Sequence, residues 1–91
     1  MRFEWDEEKA ASNWRKHRVR FAASQAVFED PYILAKQDRM VDGEERWQAF
    51  GLIGRQLYVV AYTVDDSGEE EVVRIISARK ATRQERFAYE S

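Results

Sequence analysis

The chain has 91 residues, enough for one domain over 1–91 and too few for a second core, so any site and any partner surface must share one small body. Apolar residues make up 44% and aromatic residues 13%, which suits a packed core and excludes a disordered tail; the absence of cysteine excludes disulfides and thiolate metal sites. The formal charge of −2 and a pI near 5.4 do not give the whole-molecule positive field expected of a nucleic-acid binder.

In chain order, Phe3-Glu4-Trp5 reads as a short strand or an extended lead-in, and Asp6 is a good N-cap for a helix behind it. Glu7 and Glu8 in the first turn and Arg15, Lys16 and His17 in the last complement the helix dipole. Phe21 to Phe28 reads as a second short helix, stopped near Asp30-Pro31 because proline disfavours helical geometry in the residue before it. The period then becomes extended: Tyr32 to Ala35 is a strand candidate, Asp42-Gly43 a turn, and Arg46 to Ile53 a strand closed by Gly54. Gln56 to Val64 and Val72 to Ala78, separated by an acidic turn, are expected to pair as an antiparallel hairpin. Thr82 caps a last helix with Glu85 as its capping-box partner, which carries Phe87 and Tyr89 back toward the sheet. The expected class is α+β: two N-terminal helices, an antiparallel meander and a C-terminal helix. No apolar run approaches the ~20 residues of a membrane span and no targeting segment is evident, so the expected compartment is the cytoplasm.

Charge is unevenly spread. Acids cluster at Glu4, Asp6, Glu7 and Glu8 and again from Asp65 to Glu71; bases cluster at Arg15, Lys16, Arg18 and Arg20 and from Arg74 to Arg86. Where the two basic segments meet in space, a local anion site exists despite the acidic total.

A set of residues along the whole chain resembles the BrnT toxin family. It comprises Phe3-Glu4-Trp5-Asp6, Lys9, Asn13, Lys16-His17, Val19 and Phe21, then Ala26-Val27-Phe28 with Asp30, Glu45-Arg46-Trp47, and Arg74-Ile75-Ile76-Ser77-Ala78-Arg79-Lys80-Ala81 with Glu85 and Tyr89. The resemblance implies a RelE-like ribonuclease fold and RNA cleavage that arrests translation. It also implies a tight complex with a BrnA-type ribbon-helix-helix antitoxin that alone contacts operator DNA, a pair of toxins being joined through an antitoxin dimer. The family usually has Gly after the Lys-His pair, where this chain has Arg18. Either Arg18 takes a strained left-handed conformation or the helix ends differently.

The chemistry can be argued from the side chains. Metal-independent RNA cleavage uses the ribose 2′-OH as nucleophile, and needs a proton acceptor, a proton donor and cations around the phosphorane. His17 is the one side chain whose ordinary titration range reaches neutrality, with Lys80, Glu85 or Tyr89 as candidate partners; its alternative role is to favour the helix dipole. His17, Arg46, Arg79 and Lys80 are the candidate catalytic residues, and Lys16, Arg74 and Arg83 the candidate substrate-binding ones. Arg39 reads as a solvated surface residue. Trp5, Trp14 and Trp47 are expected in the core, where a domain this small needs large apolar side chains. One histidine and no cysteine disfavour a metal site, and no cofactor is expected. The other reading left open is a non-catalytic binding module that pairs with a DNA-binding partner and tunes its operator binding.

Overall fold

The structure, a computed structural model, describes residues 1–90. Its elements in chain order are β1 (Arg2–Glu4), α1 (Glu7–His17), α2 (Phe21–Ser24) running into a 3-10 turn (Gln25–Glu29), β2 (Leu34–Val41), β3 (Glu44–Ile53), β4 (Gln56–Asp65), β5 (Val72–Lys80) and α3 (Arg83–Glu90). The α+β class is as expected. The sheet has five strands in the order β1-β5-β4-β3-β2.

The expected meander is β2 to β5, but it is not the whole sheet. β1 joins its edge parallel to β5, Phe3 lying beside Val73, so the lead-in is a strand and the sheet is mixed. The second helix is also shorter than its apolar composition suggested. Four residues are α-helical and the next five tighten into the 3-10 turn, which presses Val27 against Gly51 of β3. A β-carbon on Gly51 would stand 2.7 Å from the Val27 carbonyl oxygen, so glycine is required for this approach. The strand expected over 32–35 starts at Leu34 and continues to Val41, because the tight Asp42–Gly43 turn, both residues at positive φ, zips it onto β3.

Strand alternation sorts side chains onto two faces. Phe3, Val73, Ile75, Ala78, Val60, Tyr62 and Ala49 point toward α1, α2 and the 3-10 turn and form the core with Val19, Phe21 and Val27. Phe28 carries this packing sideways, its ring 5.3 Å from Phe3 and 5.0 Å from Tyr62. The other face carries Arg46, Gln48 and Phe50 of β3 and Arg74, Ser77 and Arg79 of β5, and α3 lies over one end of it. A bulge at Ile76, left out of the β4–β5 pairing, keeps Ile75 and Ala78 on the same face.

One buried side chain joins the layers. Asn13, 6% exposed, donates through Nδ2 to the Val19 and Ala78 carbonyls at 2.9 and 2.8 Å and accepts at Oδ1 from the Ala78 amide at 3.1 Å. α1 follows a strand that ends beside Arg74 and is pinned over Ala78, so it runs in the same direction as β5. Both elements finish at the same end of the sheet.

Candidate active site

That common end gathers most of the predicted site. Lys16 and His17 end α1 one turn beyond Asn13, and Lys80 ends β5 two residues beyond Ala78, on the helix-bearing face beside Tyr58. His17 is half-buried; Lys16 and Lys80 are exposed. Arg18 closes the helix in the left-handed conformation, φ 56° and ψ 35°, and donates its amide to the Trp14 carbonyl at 2.9 Å. The Lys-His pair thus sits where a glycine-capped helix would put it, at a backbone cost of about 1–2 kcal/mol.

The Arg18 and Arg20 guanidiniums both stack on Trp14, their central carbons 5.3 and 4.1 Å from the ring centroid. Trp14 is therefore a half-buried platform for two cations, not the core residue expected. Trp5 and Trp47 pack against the core as anticipated, each retaining partial exposure. At the stack a cleft of about 220 Å³ opens, lined by Trp14, Val19, Ala23, Ile53 and Tyr58 together with Arg18 and Arg20. Among the described residues, ion pairs engage only Arg2, Arg74 and Arg79, so Lys16, Arg18, Arg20 and Lys80, all at this end of the sheet, have no carboxylate partner.

Arg79 lies at the same end but on the opposite face, and its guanidinium fork is filled. Nη1 and Nη2 donate to the two Glu85 oxygens at 2.7 and 2.9 Å. The same glutamate completes the expected capping box: its Oε1 accepts from the Thr82 amide at 2.8 Å while Thr82 Oγ1 accepts from the Glu85 amide. The Arg79 hydrogen bonds hold the Glu85 carboxyl down at about 2. Tyr89 is likewise committed, donating to Asp30 Oδ2 at 2.6 Å; loss of solvation and that contact push its hydroxyl up to about 12. Asp30 also accepts from the Leu52 and Tyr32 amides, and with Tyr89 first among these contacts its carboxyl is held below the usual range. Glu85 thus ties α3 to β5 and Tyr89 ties it to the segment before β2, and neither is free, whereas Lys80 makes no ion pair among the described residues.

Arg46 and Arg74 are not brought to this end. Both lie on the face away from α1, toward the far half of the sheet. Arg74 pairs with Glu4 at 3.0 Å. Arg46 stands opposite Arg39 across β2–β3, and its Nε is buried with no hydrogen-bond partner. Arg83 opens α3, exposed, near the Arg79–Glu85 pair.

The family model for the ribonuclease toxin BrnT of type II toxin-antitoxin systems matches residues 5–85. The chain belongs to that family. It is a ribonuclease toxin of a type II toxin-antitoxin system, and an antitoxin is its partner. No curated protein matches the chain. The BrnT match begins at Trp5 and ends at Glu85, spanning the α1 terminus and the Arg79–Glu85 lock together. Among the described residues no helix is long and apolar enough to cross a membrane. What sequence inspection missed in this BrnT toxin is the pair Arg18 and Arg20 as a stacked unit. The available signal was their i+4 and i+6 spacing from Trp14 around a helix end.

Proposed function

We propose that this toxin cleaves RNA without a metal ion at the end of the molecule where α1 and β5 finish. The observation that carries this reading is the convergence of Lys16, His17 and Lys80 beside two further cations, none held by a carboxylate. His17 takes the proton of the ribose 2′-OH as that oxygen bonds to the adjacent phosphorus. The bond from phosphorus to the 5′-oxygen then breaks, the leaving oxygen takes a proton from Lys80, and the products are a 2′,3′-cyclic phosphate and a 5′-OH. Lys16 neutralises charge building on the non-bridging oxygens. Arg79 holds the end of β5 in place through Glu85 and acts on the chemistry only through Lys80's position. Arg83 extends the basic surface along α3.

Inhibition of translation and neutralisation by a BrnA-type ribbon-helix-helix antitoxin in a heterotetramer rest on the family resemblance. So do a RelE-like fold and a cytoplasmic setting. The test is cleavage of end-labelled RNA in EDTA, alone and with ribosomes. Cyclic phosphate and 5′-OH ends are expected, with His17→Ala and Lys80→Ala each slowing cleavage about 10²-fold or more and Glu69→Gln at the far end serving as the control. Absence of cleavage under both conditions, with antitoxin binding intact, would leave the non-catalytic module as the reading.

One observation favours a second centre on the open face. A buried, unpartnered Arg46 Nε beside Arg39 is a costly arrangement that a phosphate would relieve. A loss in Arg46→Ala equal to that in His17→Ala, with His17→Ala itself mild, moves the chemistry there.

A further inference from the structure

We infer that the Arg18–Trp14–Arg20 stack and the cleft beside it bind a guanine base of the RNA next to the scissile bond, giving the toxin a base preference. This rests on the ribonuclease reading above and adds a specificity site to it. Three observations converge.

The first is strain. Arg18 occupies a left-handed position, φ 56°, whose strain glycine would avoid. Stacking on Trp14 at 5.3 Å, near the outer limit of such contacts, does not offset that strain. The side chain is not retained there for stability.

The second is pre-organisation. Two guanidiniums held against one indole face no carboxylate, so their donors remain available beside the cleft. A free lysine would spend rotamer entropy that a stacked arginine fork has already lost.

The third is the shape and lining of the cleft. Its walls are mostly apolar and aromatic, from Trp14, Val19, Ala23, Ile53 and Tyr58, with Arg18 and Arg20 completing the lining. At about 220 Å³ it falls below the ~300 Å³ where clefts for drug-sized ligands begin, so its occupant is a single-base-sized group. A phosphate has no use for such walls. A planar ring with two acceptors along one edge matches them and the arginine fork together; guanine presents O6 and N7, whereas adenine offers a donor in place of O6. Tyr58 pairs with Lys80 across β4–β5 and Arg18 follows His17, so a base in this cleft adjoins the proposed centre.

The test uses the His17→Ala protein, expected to cut RNA about 10²-fold more slowly or slower still, and two five-nucleotide uridine oligomers, one with a central guanosine and one with a central adenosine. Calorimetric titration should give about tenfold tighter binding of the guanosine oligomer, the discrimination one bidentate fork provides. That ratio should fall to threefold or less in the added Arg18→Gly and Arg20→Ala variants. Arg18→Gly suits the backbone at this position, so loss of preference with an undiminished melting temperature cannot be ascribed to unfolding. Equal affinities in the parent, no binding of either oligomer, or a preference intact in both variants overturns the inference. The ribonuclease reading fails separately: the wild-type chain would then leave RNA intact with and without ribosomes while the guanosine preference persists.

Discussion

At the scale of single residues, the buried Asn13 amide and the strained Arg18 backbone fix where α1 ends. Asn13 satisfies three backbone groups that β5 and the segment between α1 and α2 would otherwise bury unpaired, the Ala78 carbonyl and amide and the Val19 carbonyl. Asn13→Ala removes those partners and leaves a small void, which should cost about 3–4 kcal/mol. For a chain of this size total stability is on the order of 5–14 kcal/mol, so urea unfolding should show a midpoint lowered by about a fifth or more. Arg18→Gly is expected to act in the opposite direction. Relief of left-handed strain outweighs the lost cation–π contact and the extra freedom of an unfolded glycine by about 0.5 kcal/mol, a rise of a few degrees in Tm. A Tm that falls by several degrees would show that the stack on Trp14 is worth more than the strain. The departure from the family's usual Gly was legible in the sequence. What Arg18 does instead was not, because its partners are set by the direction in which the chain leaves α1.

At the scale of elements, α3 is held by contacts made with two charged groups, Arg79–Glu85 at its start and Tyr89–Asp30 at its end. Glu85 sits at about 2 in the folded protein against an ordinary value of 4.5, so it binds its proton more readily when unfolded. Its contribution is therefore fully present above pH 4.5 and lost as pH falls from there through about 2. With both side chains partly exposed, solvent screening leaves about 1–2 kcal/mol of that contribution. Thermal melts of the wild type should lose more stability between pH 5 and 2 than those of Glu85→Gln, and the two curves should converge at the acid end. Parallel curves would show that the pair contributes nothing. The same geometry changes how Arg79→Ala is read: its loss of activity would follow from release of α3 and the end of β5, so it is a poor probe of phosphate contact and Lys80→Ala a better one. The Thr82–Glu85 capping box and the Asp42–Gly43 and Gly54 turns were readable because their signals lie within a few residues. For β1 the sequence left strand and extended lead-in both open, and its pairing was not readable, since its parallel partner is 70 residues away. Lys36 to Arg39 carry no alternation at all and become strand because β3 pairs with them. Phe87, expected to return to the sheet, is 77% exposed, since Tyr89 and Glu85 set the helix face that turns inward.

At the scale of the whole molecule, the acidic total conceals a charge separation along the strand direction. The 65–71 loop, the Asp42–Gly43 turn and the start of β3 place Asp65, Asp66, Glu69, Glu70, Glu71, Asp42, Glu44 and Glu45 at one end, with the acidic start of α1 toward the same side. The other end carries Lys16, Arg18, Arg20, Arg55, Arg79, Lys80 and Arg83. Its acids Glu85 and Asp30 are already engaged, which leaves Glu29 and Glu90. A polyanion therefore meets an oriented molecule: the basic end attracts it and the acidic end repels it, within a Debye length of ~8 Å at physiological salt. Net charge hid this because sequence order does not say that the ends of α1 and β5 coincide; Asn13 bonding to Ala78, 65 residues on, makes them coincide. The orientation has a measurable consequence for RNA binding by the His17→Ala protein. If Lys16, Lys80 and two of the arginines each neutralise a phosphate, log Kobs against log salt should have a slope of about −3, and each lysine-to-alanine change should reduce it by about 0.7. Replacing Glu69, Glu70 and Glu71 by glutamine should raise affinity slightly at low salt while leaving the slope unchanged, because those residues lie at the far end and contact no phosphate. A slope that instead falls with Arg39→Ala and Arg46→Ala and ignores Lys16 and Lys80 would put the RNA across the open face of the sheet, with the charge separation steering it past the α1 terminus.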